Sequence, residues 1–407
     1  MIWSRRGLRK LDQRAAEARK RIEDLFSSTS IEVDAILAWG QFLDSPRQQS
    51  QFGIYATRAA IRVLTSAGYP RNHRLIEKAL EGLPLVEPRS EAEKHYDPTD
   101  TGVLYKVAAL LSASQPGAGH FAGPEPIVEL IVSRIIDSRG WGDYAFPGKS
   151  DDVPRLMPTV TALLALSRDR EFFASDVSES ILRWVCRRLM DDGDLLAHEN
   201  AFGLLALLDY AGLEHRVADY GTARDTCVDR LTHWAKTRDP ALLGQNAEHH
   251  YWTPFPRSGR NHYMFYLPEV VVALALLRAG SPPAARSFVL RVVDDVVENV
   301  RTHEGFKSLS NDRLASVDQL WVYQLLTQFS SSVARHPGRL LSRVAVVIMA
   351  SPLGKMGVVA ALLALGTSAS ALSLGTAALW TRSLGVVLGG LFVGVLSTAL
   401  WAWWTER

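Results

Sequence analysis

Six segments of this chain are apolar on nearly every side of a helical turn, and they recur roughly every 50 residues between about residue 30 and residue 330. They fall at 54–64, 101–111, 158–166, 200–208, 267–277 and 316–326, and each is rich in small residues and ends in Leu-Leu or a similar pair. A helix apolar all round needs neighbours all round. The segments ahead of them, such as Ser178 to Met190 and Ala285 to Arg301, carry a single apolar stripe, as an outer layer does. Six outer–inner pairs set head to tail cover the inner helices by closing on themselves, whereas an open stack needs polar caps at its ends. The expected fold is therefore all-α, an (α/α)6 toroid over residues 30–335. A basic amphipathic helix over 1–29 precedes it, and a basic juxtamembrane linker over 336–356 and a two-helix transmembrane hairpin over 357–407 follow it.

The hairpin rests on two uncharged stretches, Gly357 to Trp380 and Ser383 to Trp404, of 24 and 22 residues. At about 1.5 Å per residue each is long enough for a hydrocarbon layer of about 30 Å. Only Thr381 and Arg382 separate them, so the two helices run antiparallel and both ends face one side. Arg335, Arg339, Arg343 and Lys355 put that side in the cytosol, with the toroid and both termini, and make the inner (cytoplasmic) membrane the expected location. Trp380, Arg382, Trp401, Trp403 and Trp404 are placed to anchor the hairpin at the two interfaces. Gly385, Gly389, Gly390 and Gly394 form two G-x-x-x-G spacings, which pack against the small-residue stripe of the first span or against a second copy of the chain. Membrane lipid and a homo-oligomer are accordingly the expected partners.

The first 26 residues hold eight Lys/Arg against four Asp/Glu, and Leu8, Leu11, Ala15, Ala18, Ile22 and Leu25 draw one narrow seam along them. That seam suits self-association, packing on the toroid, or a surface of anionic lipid. The net charge of +2 gives no ground for a specific nucleic-acid partner. Cys186 and Cys227, the only cysteines, have no paired spacing and read as buried thiols in a reducing compartment. No secretory signal opens the chain.

Several loops carry a glycine and an aromatic ring ahead of an inner helix: Gly140-Trp-Gly-Asp-Tyr before Pro158-Thr-Val-Thr-Ala, Trp39-Gly-Gln before Gly53-Ile-Tyr-Ala-Thr, and Gly305-Phe-Lys-Ser before Ser316-Val-Asp-Gln-Leu-Trp. In these residues the chain resembles the terpene cyclase and protein prenyltransferase toroids, squalene-hopene cyclases included, over nearly all of the part before the hairpin. The resemblance implies a ring of helix pairs with aromatic wedges between repeats. It also implies a proton-donating aspartate in an Asp-x-Asp-Asp-Thr-Ala run. The nearest run here is Asp97-Pro-Thr-Asp100-Thr-Gly-Val, with Thr99 at the donor's place, and a hydroxyl cannot protonate an alkene. Asp97 and Asp100 then read as helix caps or as a carboxylate pair, and Asp151 and Asp152 are the other candidate acids. The prenyltransferase zinc set is matched only by Asp225-Thr-Cys227, without the distant histidine, so no metal and no cofactor is expected.

Asp294-Asp-Val-Val-Glu298 has the spacing of a magnesium-binding Asp-Asp-x-x-Asp run without its partner motif, and reads as a solvated face. Glu248, His249, His250 and His262 do not form a convincing metal set. A denser signal lies between the fourth and fifth inner helices. Tyr251, Trp252, Phe255, Arg257, His262, Tyr263 and Tyr266 are placed to line the mouth of the ring, where aromatic faces receive an apolar chain, a cation or a protruding side chain. Arg257, Arg260 and Arg278 either hold a phosphate or carboxylate there or serve the surface. The expected function is a membrane-anchored sensor, effector or scaffold that binds a small molecule, a polyprenyl lipid or a protein, by analogy a bacterial stress or defence effector. The alternative is a cyclase or prenyltransferase-type enzyme acting on a polyprenyl lipid.

Overall fold

The computed structural model describes residues 5–33, 36–40, 42–44, 54–82, 125–142, 153–237, 251–254, 261–264, 267–307 and 313–335. The chain divides into compact units at 1–337 and 338–407, and all the described residues belong to the first. They are mostly helical. In chain order the elements are α1 (Arg5–Ser28), β1 (Ile31–Val33), β2 (Ile36–Ala38), α2 (Ile54–Ser66), α3 (Arg74–Gly82), α4 (Glu125–Val132), α5 (Leu156–Leu166) and α6 (Arg170–Ala174). Then come α7 (Asp176–Asp191), α8 (Ala197–Asp209), α9 (Tyr220–Thr237), β3 (Tyr251–Pro254), β4 (Asn261–Met264), α10 (Pro268–Arg278), α11 (Arg286–His303) and α12 (Ser316–Arg335).

Five of the six segments read as inner helices are α2, α5, α8, α10 and α12, and the segment 101–111 lies outside the described residues. The side-by-side packing runs α5, α8, α10, α12, α2. Burial follows the pattern that predicted it: every residue from Pro268 to Leu277 of α10 is buried, and in α8 so is every residue from Asn200 to Leu207. The flanking helices are one-sided. In α11 the buried set is Arg286, Phe288 to Leu290, Val292, Val293, Val296, Val297 and Val300, a stripe repeating at three and four. Each flanking helix rests in the groove between two consecutive inner ones: α7 between α5 and α8, α9 between α8 and α10, α11 between α10 and α12.

The N-terminal helix takes the same kind of place. It packs on α12, α2 and α11, with Leu8, Leu11, Ala15, Ala18, Ile22 and Phe26 buried. Of the uses its seam allowed, packing within the chain is the one seen. Arg14 reaches Asp294 at 2.8 Å and Glu298 at 3.0 Å, so the magnesium-like run on α11 is occupied by an arginine from α1. Tyr323 of α12 donates to Glu23 at 3.0 Å. The loops ahead of α2 and α12 also meet: Leu43 N–H donates to the Leu314 carbonyl at 2.8 Å, Phe42 and Ala315 form a β-bridge, and Arg313 pairs with Asp44 at 2.9 Å.

A buried polar residue at the fourth position of four inner helices fixes the loop before it. The backbone N–H of Trp39 donates to Thr57 Oγ1 at 3.4 Å, and that of Trp141 to Thr159 Oγ1 at 3.0 Å, both across 18 residues. In both loops the indole N–H donates back to a carbonyl near the end of the preceding helix, Phe26 at 2.7 Å and Ile131 at 2.9 Å. Gln319 does for Phe306 what the threonines do for tryptophan, accepting from its N–H at 2.7 Å and donating to its carbonyl at 2.6 Å. Asn200 donates to the carbonyls of Leu195 and Leu196 at 3.1 and 3.0 Å. Gly140 has φ of +153°, and a Cβ there would lie 2.3 Å from Thr159 Oγ1, which is why the Trp141 loop needs glycine.

Two short antiparallel hairpins, β1–β2 and β3–β4, were not expected; both lie between helices, and β2 packs on α3 with Leu37 and Ala38 buried. No helix among the described residues is long and apolar enough to cross a membrane. The spans expected at 357–380 and 383–404 lie outside the described residues, as do the anchoring residues Trp380, Arg382, Trp401, Trp403 and Trp404 and the packing residues Gly385, Gly389, Gly390 and Gly394.

Replacing Gln319 with leucine leaves the buried N–H and carbonyl of Phe306 without their partner, at a cost of about 2–4 kcal/mol. Arg14→Ala removes exposed ion pairs worth about 1 kcal/mol or less. Denaturant midpoints of the two variants measure the difference, and equal midpoints contradict the assignment.

Candidate functional site

A helix covered on one side by flanking helices has its other face turned away from them. On α2 the residues left partly accessible amid buried Ala59, Ala60, Ile61, Val63 and Leu64 are Arg58 and Arg62, one turn apart. On α5 the partly accessible residues Thr161 and Leu164 lead to Arg168, just past the helix end. The last residue of α8 is Asp209 and the last of α10 is Arg278, and they pair at 2.6 Å.

These groups come together. Burial first, and then the charges of Arg58 and Arg168, push Arg62 down to about 9 from the ordinary arginine range, with Asp209 opposing the shift and Arg278 adding to it. Charges from the ends of α5, α8 and α10 thus act on one guanidinium of α2. Of those charges only Asp209 is negative, and it already accepts from Arg278. Farther toward the N-terminal ends of the same helices, Phe202 of α8 and Trp321 of α12 meet edge to face at 5.2 Å. They do so although α10 lies between their helices, so aromatic side chains occupy that level.

Two titratable groups are buried near the starts of inner helices. Asp318 of α12 is held up at about 7 by burial, and its Oδ2 has no partner among the described residues. Its neighbours at helical spacing, Val322, Leu325 and Phe329, are fully buried, so the carboxyl belongs to a packed face rather than an accessible one. His198 of α8 is pushed down to about 3 by burial and is neutral.

Most residues singled out from the sequence lie elsewhere. Asp97, Asp100, Asp151, Asp152, Phe255, Arg257, Arg260 and Tyr266 are outside the described residues, with Glu248, His249 and His250. Tyr251, Trp252, His262 and Tyr263 lie on β3 and β4, whose register sets Trp252 opposite Tyr263 and Thr253 opposite His262. Asp225 and Cys227 do not converge: Asp225 is exposed beside Arg224, while Cys227 is buried on α9 and its thiol is pushed up to about 12 by burial. Cys186 and Cys227 are both free and buried, as expected. No group of three potential ligands could hold a metal among the described residues. The charges that act on Arg62 are what the sequence reading missed, although a signal was present in Ile54-Tyr-Ala-Thr-Arg58-Ala-Ala-Ile-Arg62: two cations at i, i+4 on a helix otherwise covered. No family model, curated protein or solved structure matches the chain.

The shift at Asp318 has a direction in pH. The folded chain keeps its proton up to about pH 7, whereas the unfolded carboxyl releases it near 3.8. The associated stability is complete below about pH 4 and is lost as pH rises through 7. Asp318→Asn removes that component, so the thermal midpoint of the wild type falls relative to the variant between pH 4 and pH 7.5. Parallel profiles contradict the assignment.

Proposed function

We propose that the helical part of the chain is a closed toroid of six helix pairs that binds a small molecule or a protein in its interior or at its rim, and that the hairpin over 357–404 holds it at a membrane. One observation carries the reading: α12 packs on α2 with α1 in the groove between them. A ring requires that meeting of its two ends, and an open stack of the same helices lacks it. The pairs among the described helices are then α1 with α2, α4 with α5, α7 with α8, α9 with α10 and α11 with α12. The repeated loop clamps at Trp39, Trp141 and Phe306 support the same reading and keep the resemblance to the cyclase and prenyltransferase toroids at the level of architecture.

Binding is favoured over cyclase chemistry by Thr99 in place of the donor acid and by Asp318 facing packed side chains. The toroid lies on the cytosolic side of the inner membrane, and a second copy of the chain meets it through the glycine spacings of the tail. Occupancy of the ring then biases that assembly, as in a bacterial stress or defence effector. Deleting residues 357–404 moves the chain from the membrane pellet to the soluble fraction and abolishes its cellular phenotype; a chain that stays in the pellet contradicts the tether. A product formed from polyprenyl substrates by the detergent-purified chain, and lost in Asp97→Asn or Asp100→Asn, replaces the binding reading with the enzymatic one.

A further inference from the structure

The first two turns of α1 are cationic where helix physics favours the reverse. Aligned peptide dipoles put positive potential at a helix start, so acidic side chains are favoured there and basic ones are not. α1 has no acidic residue in its first turn, and Arg6, Arg9 and Lys10 stand exposed along its first two. None of the three is in an ion pair among the described residues. Farther along the same helix the cations are answered, Arg14 by Asp294 and Glu298, and Lys20 by Asp24 at 2.8 Å. The apolar seam does not account for the difference, since it is buried from Leu8 to Phe26.

The packing of α1 gathers more positive charge at the same end. It runs in the same direction as α11, with Arg14 at Asp294 and Arg21 at the carbonyl of Arg301. Against α12 it runs the other way: Glu23 meets Tyr323, and Leu25 and Gln319 both border Gly305. The first turns of α1 therefore lie by the start of α11 and the end of α12. Arg291, one turn before Asp294, and Arg335, the last residue of α12, are exposed there and are in no ion pair among the described residues. Residues 5–11, 286–293 and 319–335 contain no aspartate or glutamate.

We infer that Arg6, Arg9, Lys10, Arg291 and Arg335 form a docking surface for anionic phospholipid headgroups, an inference that rests on the membrane tether proposed above. Exposed cations spread over three helix ends suit the diffuse negative charge of a bilayer surface better than a shaped pocket does. The chain also continues from this end, past Arg335, to the uncharged stretches that begin at Gly357.

Energy transfer from the full chain in vesicles to a headgroup-labelled lipid tests this. The donor dye sits on Gln13→Cys, exposed on α1 beside the patch, or on His303→Cys, exposed at the last residue of α11. The latter is about 25 Å along α11 from its start. Both native thiols are buried and stay unlabelled. Transfer from the Gln13 dye rises about twofold or more when phosphatidylglycerol replaces about a third of the phosphatidylcholine, and transfer from the His303 dye does not. Sodium chloride at about 0.5 M removes the rise, since the Debye length is then about 4 Å. The triple variant Arg6→Gln, Arg9→Gln, Lys10→Gln also removes it, with the thermal midpoint kept or raised.

No rise in the inserted wild type, or an equal rise in the triple variant, overturns the inference and leaves the tether in place. Insertion is read separately, by flotation with phosphatidylcholine vesicles after an alkaline wash. A chain that floats only with phosphatidylglycerol vesicles and is released by salt keeps the surface and contradicts the tether. A single-stranded oligonucleotide that binds the wild type and not the triple variant, where lipid gives no rise, overturns the assignment to lipid and makes nucleic acid the partner.

Discussion

A helix with no polar face cannot be left at an edge. In α10 ten consecutive residues are buried, and burial of that kind is worth about 25 cal/mol per Å² of apolar surface only if neighbours cover every side. The inner helices therefore dictate the rest. They must stand beside one another, and flanking helices must cover the grooves between them. Among the described helices α12 meets α2, and α1 packs on both. The N-terminal helix fills the groove that sequence separation would otherwise leave open.

Apolar faces alone do not fix the register of such helices, because one apolar surface slides on another at little cost. Thr57, Thr159, Asn200 and Gln319 remove that freedom. Each is at the fourth position of its helix and holds backbone groups of the preceding loop. A slip by one residue would leave those buried groups without partners, at about 1–3 kcal/mol each. In two of the loops the indole of Trp39 or Trp141 adds a second tie, to the helix before, so loop, inner helix and outer helix are joined at one residue. The aromatic residues thus do more than wedge: their N–H groups are structural donors.

The sequence made the layers legible because burial leaves a record in side-chain type. The apolar helices α8 and α10 are buried along nearly their whole length, and the single stripes at Ser178–Met190 and Ala285–Arg301 are buried on one side. What it did not reveal were placements decided by partners far along the chain. The seam of α1 fits several partners equally well until α12 and α2 are brought beside it, and Asp294 and Glu298 look like metal ligands until Arg14 reaches them. The charges that act on Arg62 were hidden for the same reason, since Arg168, Asp209 and Arg278 lie at the ends of three other helices and carry no common motif. The hairpins β1–β2 and β3–β4 went unread because three- and four-residue strands are too short for a period of two to show.

The account stands or falls on whether the first and last helix pairs meet in solution. Phe42 and Ala315 form a backbone bridge, and bridged residues have Cα atoms about 4.5–5.5 Å apart, within reach of a disulfide. In the full chain carrying Phe42→Cys and Ala315→Cys, mild oxidation should give an intramolecular cross-link in nearly all molecules, seen as a faster non-reduced band, with the thermal midpoint kept or raised. A double variant that stays reduced in the native state, or that links only between chains, would show that the series of helices is open.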